Sequence, residues 1–236
     1  METGAEVKDL GIVDVNVAGS GMYVGGLVGL SGGTMTHCYS TGVVSGREPV
    51  GGLVGCNNYG TVTRCYSTGT VRGEYYVGGL AGCNSGGVSD CYSTAAVSGN
   101  SAAGGLVASN CGSVTASYST STVSGRENVG GLVGYNWGGS VSNCYSIGQV
   151  SGNWYVGGLM GRNYDGTVAA CFWNTQTSGR AWSDGGTGKT TAEMQKASTF
   201  LNAGWDFVGE TKNGTEDIWW ILEGKDYPHL WWEAQN

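Results

Sequence analysis

Few residues in this 236-residue chain could do chemistry: eight cysteines, two histidines and a thin set of carboxylates. Glu48, Glu74 and Glu127 fall near one position of a recurring segment, and Asp90 and Asp165 complete the acids of that region. If Glu48 and Glu74 are neighbours, they form the acid pair that glycoside hydrolysis uses. His37 in "THCYS" and His229 in "YPHLWW" complete no Ser-His-Asp or Cys-His set on a common face. "SDGGTGKTT" (183–191) resembles a phosphate-binding loop. However, G-x-x-x-x-G-K-[ST] needs glycine where Ser183 stands, and the polar run "NTQTSGRAW" precedes it in place of an apolar strand. "NGT" at 213–215 is a glycosylation sequon by pattern alone. No cofactor is implied.

The cysteines are periodic. Cys38, Cys65, Cys91, Cys144 and Cys171 share one repeat position, which Ser117 takes in the remaining copy. Cys56 and Cys83 share a second position, with Cys111 close to it. No two lie close enough in sequence for the paired spacing of a zinc site, so no metal is expected. Stacked neighbours would meet the Cα separation of a disulfide. In-register side chains point the same way, however, and Ser117 shows that a small side chain suffices. All eight are therefore expected as free thiols, the five aligned ones forming a buried ladder.

Aromatic residues are the better lead to a surface. Tyr23, Tyr76 and Tyr155 stand four residues before a repeated leucine, beside Tyr75 and Trp154. Tyr59, Trp137 and Tyr164 sit in Asn-Gly turns. These positions vary from copy to copy, so the fold does not demand them. They form two rims that could contact a glycan or a partner protein.

What positions these residues is a repeat. Leucine in G-L-x-G recurs at 27, 53, 80, 106, 132 and 159, and the aromatic of C-Y-S at Tyr39, Tyr66, Tyr92, Tyr118, Tyr145 and Phe172. The period is 26 or 27 residues, and the extra residue always falls between the two landmarks, in stretches such as "NNYGT" (57–61). Such a period means a solenoid or an array. Three or more glycines per unit and no 3.6-residue periodicity exclude helices. Runs of Val, Thr, Tyr and Ser between turn clusters read as strands. The fold class is therefore all-β, a parallel β-helix (β-solenoid) of about six coils. It is expected to be right-handed because parallel crossovers are. Each coil should carry two or three strands, around "VGGLVG", "TVTRCYS" and "GTVSG", stacked about 4.8 Å apart. One coil cannot bury its apolar face, whereas stacked identical coils do so as continuous ladders. Val50, Val77, Val129 and Val156 form one, with Ala103 in line. Val44, Val71, Val97, Val123 and Val150 form another. Asn57, Asn84, Asn110, Asn136 and Asn163 suit an amide ladder hydrogen-bonded along the axis. Leu53 and Val54 both stay apolar in every copy, so both sides of that strand can be covered.

G-L-x-G followed by C-Y-S at this spacing resembles the GLUG motif. It reads "GLVG" at 26–29, 52–55 and 131–134, "GLAG" at 79–82 and "GLMG" at 158–161, while the fourth copy departs with Ala108. The resemblance covers most of residues 7–173. It implies a large secreted or surface-attached bacterial protein, such as an adhesin-like chain or the accessory region of an IgA-cleaving metallopeptidase. The H-E-x-x-H zinc site of those peptidases has no counterpart in this sequence.

Two regions are expected: a solenoid at 1–173, its first repeat partial, and a cap at 174–236. "VKDLGIVDVNVAG" (7–19) reads as the back half of a repeat, which suggests a segment of a longer secreted chain lacking its signal peptide. Residues 173–236 hold seven of the nine tryptophans. "TTAEMQKASTFLNAG" (190–204) predicts one helix with Thr190 or Thr191 as N-cap, and "DIWWIL" (217–222) and "YPHLWW" (227–232) predict two short strands. These elements should cover the open edge of the last coil. With a net charge of −7 and 11 Lys plus Arg, the chain has no footprint for nucleic acid, and no apolar run is long enough to insert in a membrane. The expected role is a non-catalytic extracellular or cell-surface stalk or adhesive module contacting glycans or proteins. A polysaccharide-degrading β-helix is the first alternative. An ice-binding solenoid, with the Ser-Thr pairs at 40–41, 67–68, 93–94 and 119–120 as outward hydroxyl ladders, is the second.

Overall fold

Adjacent glycines decide where each coil turns. A Cβ on Gly51 would overlap the Val54 carbonyl, and one on Gly52 would overlap the Gly79 carbonyl of the next coil. The chain folds back here only because both side chains are missing. The run "VGGLVG" is thus two strands, not one. A second break falls inside "TVTRCYS", where Arg64 adopts a left-handed φ of 51°. The second coil therefore carries four strands: Glu48–Gly51 (sheet 1), Val54–Asn57 (sheet 2), Thr61–Thr63 (sheet 3) and Tyr66–Arg72 (sheet 4). The expected two or three strands per coil are corrected to this four-sided pattern, in which the sheet 4 strand of coils three to five is broken in two, as in Tyr92–Ser93 and Ala96–Ser98.

The computed structural model describes residues 1–235, and these form a parallel β-solenoid of about six turns. Sheets 1 and 2 have six strands each and sheet 3 has seven. Glu6–Lys8 and Gly11–Ala18 pair with Thr34–Thr36 and Tyr39–Ser45 and supply half a coil before the first complete one. Register is strict. Leu53 N–H donates to Leu80 O, Leu80 to Leu106 and Leu106 to Leu132, at 2.8–3.0 Å.

The interior has two lobes. In one, Leu53, Val54, Val62, Cys65 and their equivalents in coils two to five are fully buried, so both positions of the leucine–valine pair face protein there, while Leu27, Val28 and Val168 in the end coils are partly buried. The other holds the two valine ladders, with Ala103 in line. Buried Ser40, Ser67, Ser93, Ser119 and Ser146 lie in one column. Ser67 Oγ donates to Gly79 O and Ser146 Oγ to Gly158 O. The serines of the Ser-Thr pairs therefore face inward, and the outward double hydroxyl ladder that ice binding needs does not exist. At another corner each Asn side chain donates to the next in line, from Asn57 through Asn84, Asn110 and Asn136 to Asn163, at 2.8 Å per step. Asn57 and Asn136 also close their own turns through Gly60 O and Gly139 O.

The cysteine expectation needs correction. Cys38, Cys65, Cys91, Cys144 and Cys171 are buried free thiols, but Cys56 and Cys83 form a disulfide between coils two and three. They are register partners on the outer side of sheet 2, with Cα atoms 4.6 Å apart, inside the range a bridge accepts. Hydrogen bonding with Cys65, together with burial, pushes the Cys38 thiol well up, and burial does the same at Cys144. Buried, protonated thiols are unreactive. Thiol titration of unreduced, denatured protein should therefore give six groups, rising to eight after reduction. In the native state only exposed Cys111 should react fast. Eight thiols without reductant would refute the bridge.

The C-terminal segment departs most from expectation. Residues 190–204 form two short helices, Thr191–Met194 and Ala197–Leu201, not one. The first has Thr190 as N-cap in a reciprocal capping box with Glu193, and Gln195–Lys196 interrupts the run. Trp219–Trp220 and His229–Leu230 pair as a two-residue antiparallel ribbon. Neither helices nor ribbon cover the end of the rod. That role falls to residues 173–189: Thr187–Lys189 pairs with Phe172–Asn174, Gly158 N–H reaches Trp182 O, and Ser183 Oγ accepts from Met160 N–H. The helices and ribbon lie along the flank, on the aromatic column of sheet 4. Tyr39, Tyr66, Tyr92, Tyr118 and Tyr145 stack there at 4.8–5.1 Å between centroids. Phe200, Trp205, Phe207 and Trp219 bury Tyr118, Tyr145 and Phe172 beneath them.

Candidate functional site

The seam between sheets 1 and 2 faces outward, and its shape follows from one backbone feature. The second residue of most sheet 1 strands is left-handed: Tyr23, Tyr76, Ala102, Asn128 and Tyr155 have φ of 51–60°. Pairing skips this residue, as between Tyr75↔Ser101 and Val77↔Ala103. The left-handed turn of the chain leaves it outside the ladder without shifting the register. Across the seam, the third residue of each sheet 2 strand supplies the facing row: Leu30, Cys56, Cys83, Ser109, Tyr135 and Arg162. Over the first three coils the two rows enclose a groove of about 490 Å³, with Tyr23, Glu48 and Tyr76 on one side and the Cys56–Cys83 bridge on the other.

Over the last two coils the same seam is filled by side chains. The Arg162 guanidinium lies 4.9 Å from the Tyr155 ring centre and 5.9 Å from that of Tyr135. Arg126 lies 5.0 Å over Trp154. Tyr135 and Trp137 rings are 6.2 Å apart, and Trp137 pairs in register with Tyr164. Cation–π contact of this kind contributes about 0.5–1 kcal/mol at exposed sites. The structure thus unites Trp154, Tyr155, Trp137 and Tyr164 in one patch. Tyr23 and Tyr76 lie farther along the same seam. Tyr59 stands apart, 82% exposed. Arg126, Arg162 and Tyr135 were not expected at this surface. Tyr135 occupies the second cysteine position, and that substitution was the available signal.

The proposed acid pair does not form. Glu48 aligns with Met22 in sheet 1, and Glu74 falls one row earlier, beside Arg47 at 3.5 Å. The cause is an off-by-one in the alignment: Glu48 and Glu127 share the row of Tyr75, and Glu74 does not. Ser101 Oγ donates to Glu127 Oε1 at 3.0 Å. Both histidines sit in structural contacts. His37 lies 3.6 Å from Asp9, and His229 lies 3.0 Å from Asp226 and stacks on Trp220.

Stacked coils, in-register ladders and an outward aromatic seam define a repeat protein of the parallel β-solenoid class. More narrowly, the chain carries GLUG repeats: residues 20–45, 48–72, 73–98 and 125–151 match the family described as the GLUG motif. The fourth coil, with Ala108 and Ser117, and the sixth, with Phe172, fall outside those matches. No curated protein matches the chain. Among solved structures it is similar to a Bacteroides ovatus protein described as a "putative immunoglobulin A1 protease". The TM-score is 0.53 at 22% identity, covering 96% of this chain and 69% of that one. At that identity the likeness is one of fold.

Proposed function

We propose that this chain is a non-catalytic segment of a secreted bacterial surface protein. It serves as a stiff stalk whose sheet 1–sheet 2 seam adheres to a protein partner. The observation that carries this reading is the clamping of Arg162 against Tyr155 and Tyr135, with Arg126 on Trp154. Exposed Trp, Tyr and Arg, held in fixed geometry, are the residue types that dominate protein–protein hot spots. A guanidinium already occupies one face of the Trp154 and Tyr155 rings, which favours a protein over a sugar stacked on them. The Cys56–Cys83 bridge supports an oxidising, extracellular setting. The fold likeness to a Bacteroides ovatus protein supports a bacterial one.

The test is an array of purified extracellular proteins and glycans probed with the wild-type chain and a Trp154→Ala/Arg162→Ala variant. Wild type should bind protein spots, and the variant should bind them roughly tenfold or more weakly with unchanged circular dichroism, as loss of a hot spot requires. Equal binding by the variant, or binding to glycans alone with the same residues mattering, would overturn the protein-partner reading.

A further inference from the structure

The groove over the first three coils owes its shape to a proline. Pro49 holds the position that Tyr23 holds in coil one and Tyr76 in coil three. The proline ring fixes φ at about −65°, so the left-handed conformation of the two tyrosines is closed to it. Pro49 is buried, and a Cβ on Gly82, across the seam, would come within 2.8 Å of its own Cβ. The row of outward side chains therefore has a gap one coil wide, floored by the proline. Tyr23 and Tyr76 stand on either side of it, two rungs or about 10 Å apart. Neither ring stacks on another or has a cation over it among the described residues.

One charge faces this gap. Glu48 lines the same groove and is half-buried, with the Cys56–Cys83 bridge on the far wall. Its register partner in coil one is Met22, which offers no donor, and Arg47 beside it is engaged by Glu74 at 3.5 Å. Among the described residues no hydrogen bond or ion pair reaches the Glu48 carboxylate. Glu127, at the same row in coil five, differs: Ser101 Oγ donates to it. Ser85 and Ser109 add hydroxyl oxygens to the groove, and these can accept further hydrogen bonds.

Two unstacked tyrosine rings, an unpaired carboxylate and hydroxyl acceptors complement a flat cation rich in donors. We infer that this groove receives an arginine side chain of the protein partner. The guanidinium enters over Pro49, donates through its fork to Glu48 and turns its faces toward Tyr23 and Tyr76. Midway between the two tyrosine rungs it lies about 5 Å from each, inside the ~6 Å reach of a cation–π contact. Lysine carries the charge without the planar fork. The net charge of −7 favours approach of a cation. The inference rests on the proposed adhesive role in one respect, that the cation comes from a protein. The groove itself is separate from the Arg162 patch, since Tyr155 stands three coils beyond Tyr76.

The experiment is an amide chemical-shift titration of the full chain with acetyl-Gly-Arg-Gly-amide, and with the matching lysine and glutamine peptides. The arginine peptide should shift Tyr23, Glu48 and Tyr76 and bind more tightly than the lysine peptide, and the glutamine peptide should not bind. Glu48→Gln should weaken the arginine peptide about tenfold, as loss of a charged hydrogen-bonded partner does. Tyr76→Ala should weaken it about threefold. Ala102 holds the same row with the same left-handed φ, so Tyr76→Ala should leave melting unchanged. Glu127→Gln removes the same charge three coils on and should bind as wild type does, as should Trp154→Ala/Arg162→Ala. The inference is overturned if the arginine peptide does not bind or if the lysine peptide binds as tightly. Equal effects of Glu48→Gln and Glu127→Gln would reduce binding to general attraction by an acidic chain and overturn it too, as would loss only in the Trp154/Arg162 variant. If that variant keeps its protein partner while Glu48→Gln still weakens the peptide, the Arg162 patch reading fails and this one stands.

Discussion

Replacing Trp219 with alanine should detach the flank. Trp219 is fully buried, 4.6 Å from Trp205 and 6.0–6.3 Å from Tyr145 and Tyr118. Truncating a buried tryptophan costs about 3–5 kcal/mol. Phe200, Trp205 and Phe207 pack beside Trp219 on Tyr145 and Phe172, and hydrogen bonds from Trp205 Nε1 to Ala170 O, Tyr145 Oη to Pro228 O, Tyr118 Oη to Glu233 Oε2, Trp232 Nε1 to Asp90 O and Asn174 Nδ2 to Tyr227 Oη are among the other ties. The coils themselves do not depend on it. The variant should keep its far-ultraviolet β signature, lose the near-ultraviolet tryptophan signal and associate, because Tyr118, Tyr145 and Phe172 would then face water as one apolar strip. Light scattering with both spectra measures this. A monomeric variant with unchanged melting would mean the flank contributes little to holding the rod in its soluble form.

Asn110→Ala should be nearly as damaging, for a polar reason. Asn110 is fully buried at the middle of the amide ladder, accepting from Asn84 Nδ2 and donating to Asn136 Oδ1, both at 2.8 Å. Its loss strips Asn136 Oδ1 of that donor and Asn84 Nδ2 of one of its acceptors, at about 1–3 kcal/mol for each group left wanting. Denaturant unfolding should show a loss of about 2–5 kcal/mol. Asn110→Asp adds a sign. A buried carboxylate there faces an amide oxygen, so its folded pKa rises above the unfolded value. The variant should be most stable below the unfolded pKa and lose stability as pH rises through the folded one. A variant that gains stability over that rise would show that the ladder tolerates charge.

Periodicity made the solenoid legible because residues one period apart must stack, and stacking needs no knowledge of distant sequence. The valine and leucine ladders follow from that alone. The strand breaks at Arg64 and its equivalents were hidden, because a left-handed φ on Arg, Asp or His leaves no mark in composition. The Cys56–Cys83 bridge was hidden behind an assumption that in-register side chains cannot meet, yet 4.6 Å between Cα atoms permits it. Arg126 and Arg162 escaped notice because their aromatic partners lie on a neighbouring coil or across the seam. The flank was least readable. Its contacts span 115 and 142 residues at Tyr118–Glu233 and Asp90–Trp232, and no local pattern distinguishes a segment that closes an end from one that lies along a side.

The Cys56–Cys83 bridge also bears on how the rod carries tension. Hydrogen bonds between coils run along the axis, so a pull on the two ends peels coils away one at a time rather than shearing them together. The bridge joins residues 27 apart. The enclosed coil cannot pay out under load while the bond is intact. An oxidised rod would reach a contour length shorter by roughly 90 Å than a reduced one, at about 3.4 Å per extended residue. A tether anchored at one end and gripping a target at the other would thus have its maximum reach set by the oxidation state of two sulfur atoms.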